Sequence, residues 1–309
     1  MISVIIPTFN AAGYLDAQLS ALLHQTTKNL EILIIDSSSS DATLEIARSH
    51  NVRAMVIPKD EFEHGGTRTL AGKQANGELL VYLTQDAMPV NECAIQYLLR
   101  PLYEDRNVGV TYGRQIPYYK ATVFAKHLRS FNYPGTSYIR TLADKPTYGI
   151  KTAFCSNSFA AYRRDALENV GWFKEKLILG EDMHVCAKML LKGFKLGYVS
   201  EAMVYHSHNY SLSEEFRRYF DTGVFHKTEK WLLEEFGNPA GEGIRHLRSE
   251  VSFLISNGFF YLLPLSLLRN FLKLLGYKLG YHYDSLPGGI VKQLSMHREW
   301  VRKWRQVRN

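Results

Sequence analysis

One pattern near the start of the chain constrains the fold more than any other. A short apolar run that stops on a polar residue or proline occurs four times, and a segment with helical character separates each run from the next. The runs are "ISVIIP" (2–7), "LEILIID" (30–36), "VRAMVIP" (52–58) and "ELLVYLT" (78–84). They are too short for helices and too continuously apolar for strands with one wet face, so they read as strands buried on both sides. Between them, Leu15, Leu19, Leu22 and Leu23 follow helical spacing behind Asn10 as N-cap, Asp41 caps a second helix, and a third spans about 67–76. The expectation is an α/β protein with a mostly parallel sheet covered by helices. Ligands of such sheets bind beyond the carboxyl ends of the strands, where this chain places Thr8 and Asn10, then Asp36, then Asp86.

Two phosphate-cradling signatures, G-x-G-x-x-G and the P-loop, are missing, so a bound nucleoside diphosphate would call for a divalent metal. Downstream, 108–117 reads as a strand. The Tyr-rich stretch 118–152 reads as irregular, broken by Pro134, Gly135, Pro146 and Gly149. A strand, a helix and a turn follow, then an acidic turn, a helix carrying Val185, Met189 and Leu190, and two strands. Cys93, Cys155 and Cys186 are widely spaced, which argues against a disulfide framework or structural zinc and for a reducing compartment. With a strand-like start and no basic, apolar leader, the expected location is cytoplasmic. The net charge is +7. Nine basic and two acidic residues from Arg269 onward account for all of it, so the neutral main body gives no support to nucleic-acid binding.

The segments "VIIPTFN", "IIDSSSSD", "HGGTR", "LTQDA", "GED" and "VYHSHNYS" occur in the order found in glycosyltransferase family 2, and over 2–211 the chain resembles these inverting GT-A enzymes. "HGGTR", "TQDA" and "HSHNYS" are most similar to bacterial rhamnosyltransferases that build O-antigen and other surface polysaccharides. The resemblance implies a GT-A catalytic domain over 1–215, with a donor-binding half to about 117 and an acceptor-binding half after it, and a helical, basic region over 216–309. It implies donor-nucleotide contacts from Pro7, Thr8, Asn10, Asp36, Gly66, Arg68 and Gln85. Asp36 would take the base, although Ser37 stands where a second acidic residue is common. The alternative reading of Asp36 is a turn cap, and of Arg68 a surface charge. "TQD" occupies the D-x-D position with Thr84 at the first acidic place. Asp86 would bind Mg²⁺ or Mn²⁺ with His206, which is preferred to His208 although Asn209 replaces a usual glycine. One carboxylate suffices if substrate phosphates complete the shell. Asp182 matches the general base that deprotonates the acceptor. Glu181 beside it is a further possible site residue, though both carboxylates also suit a helix first turn.

The implied reaction moves a sugar, L-rhamnose from dTDP-L-rhamnose, onto a lipid-linked or growing surface polysaccharide. A UDP-sugar transferase and a non-catalytic GT-A assembly subunit remain alternatives. In the last third, the 18 residues 251–268 allow a membrane span, a buried helix or an interfacial helix. The basic "REWVRKWRQVR", with Trp300 and Trp304 on one helical face, favours the last. The expectation is peripheral contact with an anionic membrane surface at the inner face.

Overall fold

The computed structural model describes residues 1–308, with side chains at all of these except 240 and 304–308. Its strands are β1 (Ile2–Thr8), β2 (Leu30–Asp36), β3 (Arg53–Val56), β4 (Leu79–Leu83), β5 (Met88–Pro89), β6 (Val108–Ile116), β7 (Tyr138–Arg140), β8 (Phe159–Arg163) and β9 (Lys195–Tyr205). They form one sheet in the order β3-β2-β1-β4-β8-β6-β9-β5, with β7 also paired to β9. β1, β2, β3 and β4 run parallel, as do β6 and β9, while β8 lies antiparallel between the two sets. Side-chain alternation explains the two-sided burial. Ile5, Leu33, Ile35, Leu80 and Tyr82 enter the core on one face, and Val4, Ile6, Ile32, Ile34, Val81 and Leu83 enter the core on the other.

Several expectations shift. The helix expected over 67–76 is His64–Gln74, so "HGG" forms its first turn. Of the two expected caps, Asn10 does not act on its own helix: it adopts a left-handed backbone (φ 48°), and its Oδ1 accepts from Ser40 N at 2.9 Å. Asp41 accepts from Thr43 N (3.1 Å), the first residue of its own helix Thr43–Ser49, and its other oxygen accepts from Ala12 N (3.0 Å), the first residue of helix Ala12–Leu23. The two loops satisfy each other's orphan amides because parallel neighbours bring their carboxyl ends together. The stretch 118–152 contains helix Val123–Asn132, capped by Thr122 and burying Phe124, Ala125 and His127. Instead of two strands, β9 is one strand with a bulge: Val199 faces Gly113 and Met203 faces Arg114.

The apolar stretch 251–268 is neither a span nor one helix. Helix Ala240–Ser256 stops before Gly258, whose φ is 78°, and helix Leu263–Tyr281 begins after a 3₁₀ turn. Among the described residues, no helix is long and apolar enough to cross a membrane. Helix Leu263–Tyr281 packs against helix Leu212–Thr228 with its polarity inverted. Ser266, Arg269, Lys273, Gly276 and Gly280 are buried. Arg269 and Lys273 reach Glu215 at 2.9 and 3.5 Å, while Leu267, Leu268, Phe271, Leu274 and Leu275 face solvent. The final helix, Arg298–Arg308, turns back onto the catalytic body, where Trp300 Nε1 donates to Lys176 O at 2.8 Å. Trp300 is therefore not free to face a membrane as expected, and the Trp304 side chain lies outside the described residues.

Glycine lets the two helices touch. A Cβ on Gly280 would stand 1.9 Å from Phe220 O, and one on Gly276 would stand 2.5 Å from Phe216 O. Gly280→Ala should lower stability by about 1–3 kcal/mol in urea denaturation. Gly243→Ala, with nothing within 4 Å of its added Cβ, should raise stability by up to about 1 kcal/mol.

Candidate active site

The carboxyl ends of β1, β2 and β4 are tied together by side chains. Asp36 is fully buried; its carboxylate accepts from Thr8 Oγ1 (2.9 Å), Ser39 N (2.8 Å) and Ser39 Oγ (2.6 Å). Gln85 pairs with the Phe9 backbone, accepting from its N–H at 2.8 Å and donating to its carbonyl at 3.2 Å. The buried Gln18 donates to Thr84 O and Ala87 O, at 2.8 and 2.7 Å, which fixes the "TQDA" turn from beneath.

These ends border a cleft of about 540 Å³ whose wall includes Pro7, Thr8, Ser37, Arg68, Thr84 and Gln85. Asp36 stands behind the wall and Ser37 in it. The Ser37 hydroxyl is buried without a hydrogen-bond partner among the described residues, an orphan that a ligand in the cleft would satisfy. Gly66 lies off the wall; a Cβ there would meet Glu63 Oε1 at 2.5 Å, so its lack of a side chain serves local packing. Asn10 is engaged with Ser39 and Ser40.

Beside the cleft, Asp86, His206 and His208 place one ligand atom each within 4.8 Å of one another. Asp86 Oδ1 is 3.4 Å from His206 Nε2, and Asp86 Oδ2 is 3.7 Å from His208 Nε2. His206 Nδ1 is hydrogen-bonded to Gln115 Oε1 at 2.8 Å, which aims Nε2 at Asp86. Tyr118 OH donates to Asp86 O at 3.0 Å. Burial opposes ionisation of Asp86, but the hydrogen bond and charge of His206 win and hold its carboxyl well below the usual range. Burial, then His206, lowers His208 to about 4. An ionised carboxylate and an imidazole kept neutral form a donor set that fits a divalent cation.

Asp182 opens helix Glu181–Leu191, after Gly180 with φ 79°. Its oxygens accept from Met183 N (2.8 Å) and Asn157 N (3.3 Å). Burial, then the adjacent Glu181, pushes Asp182 up to about 6. The buried Glu181 takes Asn157 Nδ2 at 3.1 Å and lies 3.3 Å from Arg68 NH1. Burial works against its charge, yet Arg68 and His64 bring the net shift below the ordinary 4.5. Arg68 thus joins the cleft to the acidic pair. Its NH1 also donates to His64 O at 3.0 Å, and its Nε has no partner among the described residues.

Several participants were not foreseen. Lys59, Phe62, Glu299 and Arg302 also line the cleft, and Lys59 Nζ sits 4.3 Å over the Phe9 ring. Gln115 and Asn157 hold His206 and the acidic pair. None carries a local motif; only the strand order brings them in. Arg302 arrives from the far end of the chain together with its ion-pair partner Glu299, which lines the same cleft.

The sheet, with helices on both faces and polar groups gathered at one edge, defines a GT-A type fold. A mannosyltransferase from Pyrobaculum calidifontis, solved with GDP-Man and Mn²⁺, superposes with TM-score 0.64 at 16% identity, over 92% of this chain and 88% of that one. S. aureus TarS (residues 1–349) gives TM-score 0.55 at 18% identity, over 91% and 90%. The family model for glycosyl transferase family 2 matches residues 3–171, and the chain belongs to that family. It is 44% identical to the O-antigen chain rhamnosyltransferase WbaN of Salmonella anatum over 300 residues, 96% of this chain and 95% of the relative. It is 43% identical to the O-antigen chain rhamnosyltransferase RfbN of Salmonella typhimurium over 97% and 95%. The protein is a glycosyltransferase.

Arg68→Met would leave Glu181 buried and unpaired, so it should destabilise the fold by about 3–5 kcal/mol at neutral pH. Because the folded Glu181 titrates below 4.5, its stabilisation is present above that value and is lost as the pH falls through the depressed one. The penalty in the variant should therefore shrink in acid, which chemical denaturation at pH 7 and pH 4 will read.

Proposed function

We propose that the enzyme transfers L-rhamnose from dTDP-L-rhamnose, with inversion, onto a lipid-linked or growing O-antigen-type saccharide. The observation that carries this reading is the cluster of Asp86, His206 and His208 next to a cleft lined by Thr84, Gln85 and Arg68, with Arg68 paired to Glu181 beside Asp182. Identity above 40% along nearly the whole of two named rhamnosyltransferases supports the donor and acceptor class.

In this mechanism the nucleotide lies against Pro7, Thr8 and Ser37, with Gln85 holding the wall and Asp36 bracing the loop from behind. A bound Mg²⁺ or Mn²⁺ supplies charge neutralisation for the departing diphosphate, and Asp86 and His206 would hold it, with His208 alongside. Lys59 adds positive charge to the cleft wall, where Arg302 stands paired with Glu299. Asp182 accepts the proton of the acceptor hydroxyl as that oxygen bonds to the anomeric carbon. The bond from carbon to diphosphate breaks in the same step. A carboxyl raised to about 6 is a stronger base than an ordinary one and is still largely ionised at neutral pH. The division near residue 215 into a catalytic domain and a helical region belongs to the same proposal.

For the membrane contact, the outward row of Leu267, Leu268, Phe271, Leu274 and Leu275 is a better apolar surface than the tail. Its opposite face is held by buried ion pairs, so the apolar face is outermost by construction. A lipid surface would suit it and would bring the enzyme to a lipid-linked acceptor.

Asp182→Asn should lower kcat about 10²–10⁴-fold with donor affinity kept. Wild-type kcat/KM should fall as the pH drops through about 6, where Asp182 gains its proton. The assay is release of nucleoside diphosphate from dTDP-L-rhamnose, with UDP-sugars in parallel. Full activity of the variant would remove Asp182 from the mechanism, and turnover with UDP-sugars alone would overturn the donor. Replacing Leu267, Phe271 and Leu274 by Ser should reduce flotation with anionic liposomes several-fold. Unchanged flotation would place the contact elsewhere.

A further inference from the structure

Away from the cleft, a second group of metal-ligating side chains is completely internal. His127, from helix Val123–Asn132, faces His246 and Glu250, one turn apart on helix Ala240–Ser256. The three residues are 2, 8 and 1% exposed. His127 Nδ1 stands 3.8 Å and His246 Nε2 stands 3.9 Å from the same oxygen, Glu250 Oε2. The three ligand atoms lie within 4.8 Å of one another. Neither ring nitrogen has a hydrogen-bond partner among the described residues. Two buried nitrogens therefore converge on one carboxylate oxygen at distances too long for hydrogen bonds.

The surroundings hold each ligand in position. His127 Nε2 is 2.9 Å from Ser249 Oγ, and with that nitrogen as donor the lone pair on Nδ1 points at Glu250. Glu250 Oε1 is already occupied by Ser266 Oγ and by Asn270 Nδ2 (2.8 Å), which leaves Oε2 for a further partner. The nearby Lys273 is matched by Glu215 at 3.5 Å. We propose that His127, His246 and Glu250 bind a divalent transition-metal ion of the zinc class, with water in the fourth position. Two imidazoles and a carboxylate match the donors that zinc takes. Ligand atoms around tetrahedral zinc sit roughly 3.3 Å apart, so each of the two N···O separations, 3.8 and 3.9 Å, would shorten by about half an ångström as the site closes. The ion would pin helix Val123–Asn132 to helix Ala240–Ser256. Its role is a structural clamp, separate from the Asp86 centre, with which it shares no residue. The cysteine spacing could not reveal such a site, because it uses no sulfur.

The test uses the full chain carrying Asp86→Ala, stripped with a chelator and titrated with Co²⁺. One Co²⁺ per chain, with the visible bands of a tetrahedral N/O site, displacement by Zn²⁺ and a raised Tm with Zn²⁺, is the expected result. His246→Ala should abolish the bands and Glu250→Gln should weaken binding at least tenfold. If His246→Ala does not fold, His127→Gln replaces it. Metal analysis of the unmutated chain loaded with Zn²⁺ gives an independent count, one ion more than in its Glu250→Gln counterpart. Absence of stoichiometric Co²⁺ in the Asp86→Ala chain, or bands that persist through the changes at Glu250 and the histidines, would overturn the proposal. Neither outcome depends on the sugar donor.

Discussion

A sheet that is apolar on both faces can present polar groups only at its strand ends, and the active site follows from that restriction. Ile5, Leu33 and Leu80 on one side and Val4, Ile34 and Val81 on the other leave no room for a functional group along β1, β2 or β4. The polar groups collect where the strands stop, and the loops must then satisfy one another's backbone. Asp36, Asp41, Gln18 and Gln85 do this by bridging between loops. Their hydrogen bonds brace the wall of the cleft, into which Ser37, Arg68 and Thr84 face.

The electrostatics of the site depend on one buried ion pair. Arg68 keeps Glu181 ionised, and the charge of Glu181 helps raise its neighbour Asp182. Two carboxylates adjacent in sequence are thereby pushed apart in basicity, Glu181 downward as the counter-ion of Arg68 and Asp182 upward. At the cluster of Asp86, His206 and His208 the balance is opposite, since Asp86 is held ionised while burial keeps His208 neutral.

Polarity patterns mislead when an element packs in the reverse of the usual sense. Arg269 and Lys273 belong to a basic, amphipathic stretch whose charged face is expected to meet water. The structure buries that face against Glu215 and exposes the leucines, because Gly223, Gly276 and Gly280 let two helices approach closely enough for the ion pairs to form. Among the described basic residues of this region, Arg269 and Lys273 thus share Glu215, and Arg302 pairs with Glu299 at the cleft. The same limit applies to caps: Asn10 has the right chemistry but bonds Ser40 of the neighbouring loop, while Asp41 serves both its own helix and the one after β1.

By itself the sequence determined the four parallel strands β1 to β4, since two-sided apolar runs ending in polar residues admit few other folds. It also determined the six motifs that identify the family, including Asp86, Asp182 and the paired histidines, because each lies next to a strand or helix boundary readable in one dimension. Only the tertiary structure decided which groups act together. Gln115 reaches His206 across 91 positions, Arg68 meets Glu181, and Arg302 returns to the cleft of β1 from the far end of the chain. The physical reason is that local propensity acts over a few residues. Charge pairing and metal-ligand convergence act over a few ångströms instead, and folding alone relates the two.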